Sequence, residues 1–181
     1  MDGGEVSVLP IRKLGDPVLR EPCREVEVFD DLLRRVYEDM LETMYHAPGV
    51  GLAAPQIGLT LRFFVYDSND GSGPGAVANP VLSEPAGAEV EEEGCLSIPG
   101  LWYLTPRAQG VRLTGRDLRG DPISIDAEGL LARIFQHETD HLGGMLFIDR
   151  LSEEDRRRAM AEMRERDLGA RPGPPRQGSI G

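Results

Sequence analysis

Residues 137–141 read His-Glu-Thr-Asp-His, two imidazoles four residues apart with a carboxylate directly after the first. On an α-helix, side chains at i and i+4 lie on one face. Both imidazoles can therefore reach one metal ion, while the glutamate between them stands beside a metal-bound water. Leu130, Ile134, His137 and His141 fall at i, i+4, i+7 and i+11, so the histidines continue an apolar stripe. Two buried imidazoles without partners would be costly to desolvate, and ligation satisfies them.

A catalytic site of this kind needs a third protein ligand. No second histidine motif follows, and His46, at the end of an expected helix beside Pro48, reads as a surface or capping residue. The candidate is Cys95, in the glycine-hinged, proline-bounded stretch Glu91-Glu92-Glu93-Gly94-Cys95-Leu96-Ser97-Ile98-Pro99-Gly100. A thiolate, two imidazoles and one open position make a catalytic arrangement rather than a closed structural one. Cys23, between Pro22 and Arg24, reads as an inert core thiol. Two other readings compete. A general zinc metalloprotease would take its third ligand from a following helix, where Glu162 or Glu165 could serve. A metal-stabilised binding module would need four protein ligands.

The elements that must position these residues can be read from periodicity. Asp30 and Asp31 can cap a helix whose apolar face is Leu32, Leu33, Val36, Tyr37, Met40, Leu41 and Met44, stopped by Pro48-Gly49. Residues 49–58 hold too many glycines and prolines for a regular element. Residues 61–67 read as a buried strand, 68–75 as a surface loop, and 76–83 and 87–92 as strands. Residues 110–117 and 122–127 form a hairpin around Leu118-Arg119-Gly120-Asp121. The motif helix runs from about 127 to 142 and ends at Gly143-Gly144; a third helix follows Ser152 as N-cap. Short strands not alternating with helices predict an α+β fold. Short, mainly antiparallel sheets should pack around the central HExxH helix, with an N-terminal and a C-terminal helix. Residues 1–168 should form one catalytic domain, and 169–181 a flexible tail rich in Pro, Gly and Arg.

Composition bounds the function classes. With 181 residues, 40% hydrophobic and 28% charged, the chain reads as one soluble globular domain. No apolar run approaches the ~20 residues that cross a bilayer, and the first ten residues lack a signal peptide's basic start and apolar stretch. A cytoplasmic protein without a membrane partner is expected. Two cysteines are too few for a disulfide framework. A net charge of −11 excludes nonspecific coating of nucleic acid. Residues 151–181 hold seven arginines against six acids, a net +1, which leaves −12 on the rest. That end reads as a solvated helix face, with a local RNA contact left open.

Taken together, GVGLAAPQIG (49–58), EGCLSIPG (93–100) and QHETDHLGG (136–144) resemble the three signature motifs of peptide deformylases, in order and spacing. The resemblance covers about residues 8–160. It implies one divalent ion on Cys95, His137 and His141, Fe2+ in the cell, with Zn2+, Ni2+ or Co2+ also accommodated by such donors. It implies Glu138 as proton carrier, with the side chain of Gln56 and the backbone N–H of Leu96 facing the developing oxyanion. The implied substrate is the formyl-methionyl end of a nascent peptide. Val50, Leu130, Ile134 and the His137 ring would wall a narrow pocket for the methionine. Gly51 would pair with the substrate backbone, and Glu93, Gly94 and Trp102 would line the groove beside it. Arg133, one turn before His137, should turn outward or lay its stem along the pocket rim. Arg107 and Asp140 resemble a family pair that braces the metal helix. Leu101-Trp102-Tyr103 departs from many relatives, which changes what the groove prefers beyond methionine. A weak ribosome contact through the C-terminal helix is a further expectation; sequence-specific nucleic-acid binding is not.

Overall fold

The structure, a computed structural model, describes residues 6–167 and 180. Its strands are β1 (Gly51–Ala53), β2 (Phe63–Tyr66), β3 (Gly75–Ala86), β4 (Glu89–Cys95), β5 (Ile98–Arg107), β6 (Gly110–Arg116) and β7 (Pro122–Glu128). Its helices are α1 (Asp31–His46), α2 (Gly129–Leu142) and α3 (Glu153–Asp167). All named strand pairs are antiparallel. One sheet has the order β1-β2-β3-β6-β7, and β4-β5 forms a separate ribbon. This is the α+β architecture the sequence predicts.

α1 begins where the Asp30 carboxylate accepts from the N–H groups of Leu32 and Leu33 at 3.0 and 3.1 Å, a side-chain N-cap. Leu33, Met40 and Met44 face the core, whereas Leu32, expected beside them, is 68% exposed. The buried stripe is narrower than the sequence suggests, and Leu32 falls off its edge in the first turn. α2 lies across the five-stranded sheet, reaching β1, β2, β3, β6 and β7, and its inner face joins Phe64, Val77 and Leu113 through Ile134 and Phe135. α3 starts at Ser152, whose Oγ accepts from Asp155 N–H at 3.1 Å, and it packs on β5.

Two elements differ from expectation. The segment 49–58 contains β1 and a 3-10 turn, Ala54–Ile57, where only irregular chain was expected. β5 was not anticipated because Pro99, Gly100 and Pro106 read as loop. In a two-stranded ribbon, prolines can face the unpaired edge without breaking the ladder. The expected tail at 169–181 lies outside the described residues except at Ile180. That residue is only 3% exposed and bridges Cys95 in parallel pairing.

Candidate metal centre

β4 delivers Cys95 at its last residue, and α2 delivers His137, Glu138 and His141 from one face. Each of the four is at most 3% exposed. Cys95 Sγ stands 3.5 Å from His141 Nε2, which is 3.2 Å from His137 Nε2, and the three donor atoms all lie within 4.8 Å of one another. Tetrahedral bonds of ~2.0–2.1 Å to nitrogen and ~2.3 Å to sulfur would set N···N at about 3.4 Å and S···N at about 3.6 Å. The triad is therefore already spaced to hold one ion. Burial alone would raise the Cys95 thiol, but the charge of His141 and hydrogen bonding with His137 and His141 bring it from 9.0 down to about 6. A thiolate ready to ligate follows.

Behind the triad lies a buried ionic brace. Glu93 is fully buried, and one of its oxygens sits 2.5 Å from His137 Nδ1, which leaves Nε2 aimed at the cysteine. The same carboxylate accepts from Arg107 Nη2 at 2.6 Å, Arg107 Nε at 3.0 Å and Arg133 Nη1 at 2.8 Å. Burial would push Glu93 up, but His137 and Arg107 hold it well below the usual carboxylate range. Arg133 also donates to Thr105 O at 3.0 Å and pairs with Glu89 at 3.3 Å. Arg107 continues to Asp140 at 2.6 Å, and Asp140 to Arg150 at 2.6 Å. Buried Arg107 and Arg133 thus meet Glu93, Asp140 and Glu89, so the buried charges are compensated.

The face toward the triad carries the remaining polar groups. Gln56 is fully buried. Its Oε1 accepts from Ala53 N–H at 2.9 Å, which turns Nε2 toward Ser97 Oγ at 3.0 Å and Cys95 Sγ at 3.8 Å. Leu96 is held by its carbonyl, which accepts from Lys13 Nζ at 2.8 Å. Any Cβ at position 51 would collide with the Glu138 carboxylate, so only glycine lets the β1 backbone approach there.

The sequence-predicted residues divide accordingly. Cys95, His137, His141, Glu138, Gln56, Leu96 and Gly51 come together. Val50 and Ile134 are buried in one apolar cluster beside the site. Leu130, one turn before Ile134 on the same helix, is 48% exposed. The Glu93 side chain is enclosed by Arg107, Arg133 and His137 and braces the site. Arg133 does not turn outward: it is 3% exposed with its guanidinium on Glu93. Trp102 packs its indole over Gly94, where a Cβ would strike it. The Arg107–Asp140 pair forms as the resemblance implies. Glu162 and Glu165 are exposed, Glu162 accepting from Tyr103 Oη at 2.7 Å, so neither supplies a third ligand. Lys13 and Ser97 were not anticipated; their contacts cross 83 and 41 residues, and no local pattern marks them. A cation on the buried stripe of α2 was the available signal for Arg133.

Residues 8–157 match the family model described as polypeptide deformylase. A peptide deformylase of Parafrankia sp. (strain EAN1pec) is 48% identical over 171 residues, covering 93% of this chain and 92% of that protein. One from Acidothermus cellulolyticus is 51% identical over 160 residues, 88% of each chain. The crystal structure of a peptide deformylase from Legionella pneumophila aligns with a TM-score of 0.85 at 42% identity, over 91% of this chain and 99% of that one. A peptide deformylase from Synechococcus elongatus, solved in complex with actinonin, aligns with a TM-score of 0.82 at 41% identity, over 90% and 89%.

Proposed function

The chain belongs to the polypeptide deformylase family, and on that premise we propose that it hydrolyses the formyl group from the N-terminal methionine of nascent polypeptides, releasing formate. The observation that carries this reading is the Cys95–His137–His141 triad with Glu138 and the Gln56 amide turned toward it.

Cys95 Sγ, His137 Nε2 and His141 Nε2 would hold one divalent ion, Fe2+ in the cell, with zinc, nickel or cobalt fitting the same donors. Such an ion supplies Lewis-acid chemistry, acidifying water and polarising a carbonyl. Glu138 takes the proton of the attacking water and returns it to the departing amine. Gln56 Nε2 and the N–H of Leu96 donate to the oxygen that gains charge. The amide is preset because its other end is held by Ala53. β1 ends the five-stranded sheet, so its outer backbone edge at Gly51 accepts the peptide as an added strand. Val50, Ile134 and the His137 ring take the methionine side chain, and Trp102 and Gly94 border the groove.

The catalytic unit is residues 1–168. Among the described residues no helix is long and apolar enough to cross a membrane. Work in the cytoplasm, where nascent chains emerge, completes the reading. The arginine-bearing outer face of α3, with Arg157 and Arg158, would give a weak ribosome contact. The test is formate release from formyl-Met-Ala-Ser by metal-loaded protein and by Glu138→Gln. The wild type should turn over, and the variant should keep its metal while losing about 10²–10⁴-fold in rate. Cleavage of internal peptide bonds without formate would overturn the proposal.

A further inference from the structure

Ile180, second from the end of the chain, is 3% exposed and belongs to the apolar cluster that holds Val50, Ala53 and Ile134. Its backbone bridges Cys95 in parallel pairing, outside every named strand. A main-chain bridge to one wall of a groove, with a side chain sunk in the adjoining apolar pocket, is the pattern of a peptide recognised by strand addition. Val50 immediately precedes the β1 edge, and Cys95 ends β4. Ile180 thus stands where the proposed substrate would bring its first side chain.

The connection is intramolecular and short. α3 ends at Asp167, thirteen residues before Ile180. Its last turn is fastened beside the Cys95 segment, Arg166 Nη1 donating to Pro99 O at 3.3 Å. Thirteen residues can span up to about 45 Å, so reach within one molecule is not limiting. A tethered group acts at an effective concentration in the millimolar range, comparable with a weakly bound free ligand. Isoleucine is branched at Cβ, so it suits a narrow pocket for an unbranched side chain less well than methionine does. Substrate can therefore displace it.

We propose that Ile180 is an intramolecular occupant of the substrate groove, so that this residue competes with incoming peptide. This rests on the groove assigned above. Self-occupancy raises the apparent KM by the inverse of the open fraction. Burial of one aliphatic side chain, less its ordering cost, makes that roughly three- to thirtyfold.

The test uses metal-loaded full-length protein, Ile180→Asp and Ile180→Met, with formyl-Met-Ala-Ser as substrate. Ile180→Asp should lower KM at least about threefold with kcat and melting temperature held, and Ile180→Met should raise KM. A fall in kcat and melting temperature with KM unchanged would make Ile180 a plain core residue and overturn the proposal. Hydrogen exchange at the amides of Cys95, Leu96 and Ser97 reports the contact without turnover. Faster exchange in Ile180→Asp supports the contact, and identical exchange removes it. Should no protein release formate, the deformylase reading fails while exchange still decides the contact.

Discussion

Replacing Glu93 with glutamine should loosen the metal and the fold together. The change keeps the shape but removes the charge from a carboxylate that is fully buried and bonded to His137, Arg107 and Arg133. His137 loses the partner that fixes its ring, which in comparable sites costs about 10–100-fold in metal affinity. The two guanidiniums lose a shared anion, and breaking a buried pair typically costs ~3–5 kcal/mol. Here Arg107 keeps Asp140 at 2.6 Å and Arg133 keeps Glu89 at 3.3 Å. The lower end, about 3 kcal/mol, therefore applies. At ~2–4 °C per kcal/mol for a domain of this size, the melting temperature should fall by about 6–12 °C. Competition with a chromogenic chelator measures affinity, and thermal unfolding at fixed metal concentration measures stability. Leu130→Ala, at a side chain 48% exposed, is the control and should stay within about 0.5 kcal/mol of wild type. A Glu93→Gln protein with native affinity and a melting temperature within about 2 °C of wild type would refute the brace.

Gln56→Leu should lower kcat by about 10²–10³-fold while changing substrate binding little if, as proposed, its amide serves the charge that develops during reaction; a change confined to KM would make it a positioning residue. Asp149 is held below the ordinary carboxylate range: burial would raise it, but hydrogen bonds from Arg20 and Leu146 N–H and the charge of Arg156 prevail. Because its folded pKa is depressed, its stabilisation is present above the unfolded value and lost as pH falls through the folded one. Asp149→Asn should thus lower the melting temperature near neutrality, with the gap to wild type closing in acid; a gap independent of pH would contradict this. Iron-loaded protein should lose activity under peroxide faster than nickel-loaded protein, with oxidation of Cys95 visible by mass spectrometry. Equal decay with Cys95 unmodified would count against thiolate-ligated iron.

The clustered triad was legible because such donor sets leave a local signature: His137 and His141 one turn apart on an apolar stripe, and Cys95 in a glycine-hinged segment. The hairpin of β6 and β7 and the cap at Asp30 were legible for the same reason. What escaped depends on partners distant in sequence. Glu93 was expected to line the groove, and its bonds to Arg133, 40 residues on, and His137, 44 residues on, leave no mark in the local sequence. Leu130 shares a stripe with Ile134, but in the first turn of α2 it stays 48% exposed. β5 hid behind prolines that an edge position tolerates. Ile180, alone in a Gly- and Pro-rich stretch, belongs to no periodic pattern, and only the fold reveals what it covers.

Absorption spectroscopy at the metal edge of the loaded protein addresses the central claim most directly. One sulfur at ~2.3 Å and two imidazole nitrogens at ~2.0–2.1 Å from the ion are predicted, with the sulfur lost in Cys95→Ala. A shell of nitrogen and oxygen alone, unchanged by Cys95→Ala, would contradict the site from which the proposed deformylase chemistry is built.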